Sequence, residues 1–108
     1  MHAWMIEFVN EEAEAEFAAL PLDIGARLTR VLDLFAEKGL AALVMPLARP
    51  VSGKIWELRA SGRDGIARSL YATSSGRRLV ILRTFVKKTQ KTPRQEIELA
   101  LKRLKEVE

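Results

Sequence analysis

Residues 54–86 constrain the fold most strongly, because apolar and polar side chains alternate there in short runs separated by glycine-containing turns. Trp56 and Leu58 alternate with charged neighbours, which predicts a β-strand with two different faces. The apolar face is expected in the core, and Glu57 and Arg59 are expected to face solvent. A sheet is therefore required in the second half of the chain.

Two turns divide the rest of this region. Ser61–Gly65 contains the hairpin signal Asp-Gly, and Ser74–Gly76 is a second cluster of turn residues. The segments after them, Ile66–Thr73 and Arg78–Val86, have the β-branched and apolar composition of strands. Three consecutive antiparallel strands are predicted.

The first half of the chain predicts a strand followed by two helices. Residues 3–9 are β-rich and end at Asn10, a favourable N-cap, before a glutamate-rich helix. Pro21 interrupts that helix, and apolar residues at helical spacing then predict a second helix that ends at Gly39. Together these two helices are expected to form a helical hairpin.

The remaining segments complete the predicted topology. Residues 40–53 contain two prolines and no regular period, so they are interpreted as a connector. Thr92 is predicted to cap a last helix, with Pro93 at its first position and Gln95 as the capping-box partner. The order β-α-α-β-β-β-α predicts a single α+β domain over residues 1–108, in which the first strand joins the later three.

Composition removes several classes of site. The chain has no cysteine, which excludes disulfides, thiolate metal sites and cysteine nucleophiles. The only histidine is His2, so histidine triads and histidine metal sites are excluded as well. No metal and no cofactor are therefore predicted.

Charge is distributed unevenly along the chain. Up to Gly53 there are 4 basic and 8 acidic residues, and from Lys54 onward there are 14 basic and 6 acidic residues. The halves thus carry −4 and +8, and a basic half predicts an anionic partner such as nucleic acid. The acidic first half is expected to face away from such a partner.

No signal peptide or membrane span is predicted. The first apolar stretch contains Glu7, and the longest uncharged run, Gly39–Ala48, is about half the length that a bilayer span requires. The protein is therefore expected to be soluble and cytoplasmic.

Basic and hydroxyl residues of the second half are the candidates for chemistry. They are Lys54, Arg59, Arg68, Tyr71, Arg83, Lys87, Lys88 and Lys91. Neighbouring strands could bring them together on one face, where arginine offers paired donors to phosphate. Each also has a structural interpretation: Lys87–Lys91 as a solvated loop, Arg59 as a surface ion pair, and Tyr71 as an ordinary sheet residue. Arg68 is harder to explain in this way, because a charge within an apolar strand requires a partner or a ligand.

Three segments together resemble a known family. Lys54–Arg59, Gly65–Tyr71 and the closing Phe85–Pro93, with the helix that follows, are similar to the RelE/HigB toxin superfamily and specifically to its phage-derived HigB-like branch. The resemblance implies a curved antiparallel sheet with a helical hairpin on one side. It also implies a type II toxin that cleaves mRNA on the ribosome and a cognate antitoxin, a small helix-turn-helix protein.

The resemblance assigns roles to individual residues. It implies a catalytic set of Arg68, Arg59, Lys87, Lys88 and Tyr71, with Lys54, Arg83 and Lys91 binding RNA. Arg83 stands where relatives in this branch often have histidine, and Glu57 stands where RelE has a strand lysine. These departures leave the general acid and base unassigned.

The implied chemistry is metal-free attack of a ribose 2′-hydroxyl on the adjacent phosphate, with arginines binding the phosphate and lysines assisting proton transfer. The alternative is a non-catalytic module that holds RNA or an antitoxin through salt-sensitive contacts. A third possibility is a scaffold whose last helix packs in a groove of a partner.

Overall fold

The computed structural model describes residues 4–39 and 48–107 of the chain. It shows an α+β fold with five strands and three helices in the described residues, which confirms the predicted class. In chain order these are β1 (Met5–Phe8), α1 (Glu11–Ala18), α2 (Leu22–Lys38), β2 (Ala48–Ser52), β3 (Ile55–Gly62), β4 (Gly65–Ser74), β5 (Arg78–Lys87) and α3 (Arg94–Leu104).

The strands form one mixed sheet in the order β1-β5-β4-β3-β2. The predicted antiparallel meander of β3, β4 and β5 is confirmed. The expected antiparallel sheet is found for β2, β3, β4 and β5, but not for β1, which lies parallel to β5, with Met5 beside Arg78 and Phe8 beside Ile81. Alternation of side chains reports which face of a strand is buried but carries no information about its direction.

The predicted connector contains a strand. Ala48–Ser52 forms β2, which pairs antiparallel with β3 at the edge of the sheet and has an irregularity between Pro50 and Ser52. An edge strand tolerates proline because one side of its backbone has no ladder to complete. Because prolines usually indicate a loop, the sequence pattern did not predict this strand. Residues 40–47 of the connector lie outside the described part of the chain.

The predicted helix ends in the first half are confirmed. The side chain of Asn10 accepts a hydrogen bond of 2.9 Å from the backbone N–H of Ala13, and α2 begins directly after Pro21. Gly39 closes α2 with a φ of 75°, a conformation that glycine adopts without strain. Both helices pack mainly on the sheet, α1 against β5 and α2 against β3.

Helices cover both faces of the sheet, so two apolar clusters form. Under α2, residues such as Leu28 and Phe35 pack with Leu58, Tyr71 and Ile81. Under α3, the other face buries a second set: Ile55, Leu70, Ala72, Val80, Leu82, Phe85 and Ala100. The core is therefore divided by the sheet.

Two expectations for β3 are wrong. Glu57 was expected in solvent but is only 1% exposed, whereas Trp56 was expected in the core and is 40% exposed. Alternation assigns residues to two faces but does not say which faces a helix later covers.

The start of α3 also differs from its prediction. The N-cap position is Pro93, with no side-chain cap, and the helix begins at Arg94. The hydroxyl of Thr92 instead donates hydrogen bonds to the carboxylate of Glu57 on β3. Thr92 thus bonds to a residue of the sheet and does not cap the helix, and this contact holds the segment before α3 against β3.

Candidate functional site

The candidate site lies on the α3 side of the sheet, where the segment 88–93 crosses β3 and β4. Arg59 on β3 and Arg68 on β4 are directly opposed across the two strands. Arg68 stands between Ile66 and Leu70 in its strand, and its charged side chain is completely buried. The buried charge of Arg68 interacts with the segment 88–93, which lies over this part of the sheet.

Arg68 holds the backbone of that segment. Its Nη1 donates to the carbonyl oxygen of Lys91 at 3.1 Å, and its Nη2 donates to the carbonyl oxygen of Thr89. Its Nε has no hydrogen-bond partner and lies 4.0 Å from Oε1 of Glu57. The guanidinium thus anchors the segment to the sheet and is not accessible to a ligand in this conformation.

Glu57 is the carboxylate at the centre of the site. Its Oε1 accepts a hydrogen bond of 2.8 Å from Nε of Arg59, and its Oε2 accepts one of 2.7 Å from the hydroxyl of Thr92. A buried carboxylate is tolerated only when such partners compensate for its lost hydration. Glu57 therefore joins β3 to the segment that precedes α3.

Arg59 is the more accessible of the two opposed arginines. Its side chain is 14% exposed, and its Nη2 donates to the carbonyl oxygen of Gln90 at 2.6 Å. Its Nη1 also lies 3.4 Å from the side-chain oxygen of Gln90. Because a guanidinium carries five N–H donors, these contacts leave donors for a ligand.

Positive charge exceeds negative charge around Glu57. Burial lowers the pKa of Arg68, and the neighbouring charges of Arg59 and Arg49 lower it further, against the opposing effect of Glu57. The guanidinium groups of Arg59 and Arg68 thus lie within 4.0 Å of one carboxylate, and Arg49 adds a third positive charge nearby. Such a surplus favours binding of an anion.

A groove of about 450 Å³ opens beside these groups. Its lining comes from β2, β3, the segment 88–93 and α3: Arg49, Pro50, Val51, Glu57, Arg59, Gln90, Lys91, Thr92 and Ile97. Sequence reasoning missed Arg49, Glu57 and Thr92 as part of the site. Recognition of β2 would have indicated Arg49, which pairs with Glu57 across the strands.

A model of the family described as phage-derived Gp49-like proteins matches residues 15–105. The chain belongs to this family. A comparison with curated protein sequences finds no significant match.

The Gp49-like chain also has the fold of RelE. It is similar to the toxin RelE of Escherichia coli, solved in the free state as an arginine-to-alanine mutant, with a TM-score of 0.64 and 16% identity over 94% of this chain and 98% of that one. It is also similar to a chain of the toxin–antitoxin complex RelBE2 of Mycobacterium tuberculosis, with a TM-score of 0.52 and 21% identity over 79% of this chain and 99% of that one. These similarities confirm the fold that the resemblance to the RelE/HigB superfamily implied, and the family match confirms the expected phage-derived family.

The Gp49-like structure brings only some of the predicted site residues together. Arg59 and Lys91 line the groove, and the buried Arg68 contacts this site by donating a hydrogen bond to the carbonyl oxygen of Lys91. Lys87 and Lys88 are exposed where β5 ends, one strand away from Arg68. These lysines therefore border the site without lining it.

Three predicted residues lie elsewhere. Tyr71 is buried under α2 on the opposite face of the sheet, and burial raises its pKa to about 12. Arg83 forms ion pairs with Glu16 at 3.0 Å and with Glu96 at 2.7 Å. Lys54 lies in the β2–β3 turn, about 16 Å along the strand from Arg59 at the rise of an extended chain. None of the three is placed at the groove.

Two further searches of the described residues gave negative results. Within residues 4–39 and 48–107, no group of three or more metal-ligating side chains comes together. In the same part of the chain, no helix has the length and apolar character needed to cross a bilayer.

Proposed function

We propose that this protein is the toxin of a type II toxin–antitoxin system and that it cleaves mRNA on the ribosome without a metal ion. The observation that carries the proposal is the arginine-rich groove on a RelE fold, which Arg49, Glu57 and Arg59 line and beside which Arg68 is buried. The family match and the similarity to a chain of a toxin–antitoxin complex support the same assignment.

The proposed reaction is a transesterification within the RNA. A ribose 2′-hydroxyl loses its proton and its oxygen bonds to the adjacent phosphorus, while the bond from phosphorus to the 5′-oxygen breaks and that oxygen gains a proton. The products are a 2′,3′-cyclic phosphate and a 5′-hydroxyl. The protein must stabilise the additional negative charge on the phosphate and transfer the two protons.

Arg59 is the residue we assign to charge stabilisation. It is partly exposed at the groove, and its planar donors match phosphate oxygens. Lys91 lines the same groove, and Lys88 is exposed beside it, so both are placed to supply further positive charge or to move protons. Tyr71 has no part in this proposal, because it is buried on the other face of the sheet.

Arg68 is assigned a positioning role. Because its guanidinium is buried and donates to the carbonyl oxygens of Thr89 and Lys91, it acts through the segment that carries Lys91 and Gln90. Loss of Arg68 should therefore impair cleavage by releasing this segment.

The proposed partner is an antitoxin, expected to be a small helix-turn-helix protein encoded next to this chain. Expression of the chain alone should arrest growth, and coexpression of the neighbour should relieve the arrest. A ribosome-bound target implies that the protein acts in the cytoplasm.

The decisive experiment is ribosome-dependent mRNA cleavage with mapping of the product ends. Arg59→Ala should reduce cleavage by on the order of 10²–10³-fold, the usual effect of removing one donor to a developing charge. Arg94→Ala is the matched control, because Arg94 is 90% exposed and, among the described residues, forms an ion pair only with Glu98 on its own helix. Salt-sensitive RNA binding without a cyclic phosphate product would instead indicate a non-catalytic binding module.

A further inference from the structure

A second groove continues the first one around Arg59. It also has a volume of about 450 Å³ and is lined by residues of α2, β3, β4 and the segment 88–93: Arg27, Val31, Arg59, Ala60, Ser61, Ile66 and Gln90. Arg59 and Gln90 line both grooves. The two grooves therefore meet at these residues, and together they are called the channel below.

An arginine of the first half of the chain marks each end of this channel. Arg49 on β2 lines the first groove, and Arg27 on α2 lines the second. Arg27 is exposed and donates one hydrogen bond to the carbonyl oxygen of Ser61, which fixes its side chain over the groove and leaves other donors available. The side chain of Arg49 makes no hydrogen bond or ion pair with the described residues.

The charges of the channel favour an extended anion. Arg27, Arg59 and Arg49 follow one another along it, and the only carboxylate among its lining residues, Glu57, is already bonded to Arg59 and Thr92. Spaced guanidinium groups match the repeated phosphates of a nucleic-acid strand better than a single compact anion. The described lining contains no aromatic side chain, so base stacking is not provided and contacts to the backbone dominate.

We infer that Arg49 and Arg27 bind successive phosphates of a single RNA strand on either side of the position held by Arg59, so that the strand follows the channel from β2 across β3 to α2. This inference rests on the proposed function and extends it to the path of the substrate. It also revises the expectation that the acidic first half faces away from the nucleic acid. Glu16 of that half is itself occupied by ion pairs with Arg83 and Arg103.

The test measures binding separately from cleavage. The probe is a single-stranded RNA oligonucleotide with 2′-O-methyl riboses, which cannot react by 2′-hydroxyl attack, and binding to the full chain is followed by fluorescence anisotropy at several salt concentrations. For single strands, each phosphate contact contributes about 0.7 to the slope of log K against log salt. Arg49→Ala and Arg27→Ala should each reduce that slope by about 0.7 and weaken binding by about tenfold.

Two kinds of variant control the measurement. Arg30→Ala removes the same charge from the exposed surface of α2 outside the channel lining and should leave the slope unchanged. Arg49→Lys and Arg27→Lys should retain the slope and lose only part of the affinity, because lysine keeps the charge without the paired donors. Thermal unfolding of each variant verifies that the fold is intact.

The outcomes separate this inference from the proposed function. The proposed RNA path is overturned if both alanine variants show the wild-type dependence of log K on log salt. If the unmodified chain still arrests growth and cleaves mRNA, the toxin assignment stands. Retained RNA binding with loss of the antitoxin complex would show that the channel holds a protein partner. A wild-type chain that neither binds the probe nor arrests growth would overturn both proposals.

Discussion

The hydroxyl of Thr92 lies 2.7 Å from Oε2 of Glu57 and 3.1 Å from Oε1, although the two residues are 35 positions apart in sequence. This contact fastens the segment before α3 to β3, and both residues are buried. The segment carries Gln90 and Lys91, which line the groove. The position of the proposed RNA-binding groups therefore depends on an interaction remote from solvent.

Thr92→Val should test this dependence. The variant keeps the shape of the side chain but removes the donor to a buried carboxylate, so we expect the free energy of unfolding to fall by about 1–3 kcal/mol. Denaturant unfolding measures this loss, and RNA cleavage should fall with it even at temperatures where the variant is folded. Thr92→Ser retains the hydroxyl and should recover most of both properties; equal behaviour of the two variants would contradict the assigned role.

Gly62→Ala should destabilise the fold at the junction of sheet and helix. A Cβ on Gly62 would collide with the side chain of Ile24, which is fully buried, and would lie 2.9 Å from Oδ2 of Asp23. Overpacking of this kind costs about 1–3 kcal/mol. The measurement is the free energy of unfolding by denaturant.

The matched control for that substitution is Gly25→Ala. Gly25 lies within α2, and an added Cβ would meet only Cβ of Leu20 at 3.6 Å, an ordinary contact. Alanine in place of glycine within a helix should stabilise the protein by about 0.5–1 kcal/mol. Stabilisation of the protein by both substitutions would show that the packing at Gly62 is looser than the structure indicates.

Acid should weaken the contact between α1 and α3 through Glu16. Burial raises the pKa of Glu16, but hydrogen bonds and charges from Arg103 and Arg83 outweigh it, and the net pKa is lowered. A lowered folded pKa gives stability that is present above the unfolded value of about 4.3 and is lost as pH falls through the folded value. We therefore expect Glu16→Gln to reduce the loss of stability below about pH 4, as measured by urea unfolding across pH. Arg103→Ala should weaken the same pH dependence, and an unchanged acid profile in both variants would contradict the prediction.

Alkaline titration should report the burial of Tyr71. It is the only tyrosine of the chain, so tyrosinate absorbance follows it directly. Burial raises its pKa to about 12, above the ordinary value of about 10. Stability linked to the neutral phenol is thus present below pH 10 and is lost as pH rises toward 12. Titration near 10 in the native protein, as expected in denaturant, would place Tyr71 at the surface and reopen a role in the site.

Much of the fold could be predicted from local pattern. The Asn10 cap, the break at Pro21 and the end of α2 at Gly39 depend on residues near in sequence, and each is confirmed. The strands of the meander are confirmed: β5 ends at Lys87, one residue after its predicted end at Val86, and β3 extends two residues into its predicted turn, to Gly62. Local physics of caps, turns and side-chain period was sufficient for these features.

The site was less predictable, since its groups meet only through strand pairing and helix coverage. Arg68 was correctly singled out as a buried charge in need of a partner, but its partners, the carbonyl oxygens of Thr89 and Lys91, are more than 20 residues away. The sequence predicts that Arg83 binds RNA, whereas in the structure it forms ion pairs with Glu16 of α1 and Glu96 of α3.

The sequence by itself determined most of the element types, the basic character of the second half and the membership of the phage-derived Gp49-like family, because these depend on composition, local period and short motifs. Only the tertiary structure decided the parallel pairing of β1, the presence of β2 and the burial of Glu57. The physical reason is that burial and charge pairing depend on which elements are brought face to face. Glu57 was predicted to face solvent, but it lies at the centre of the site because α3 and the segment before it cover this face of the sheet.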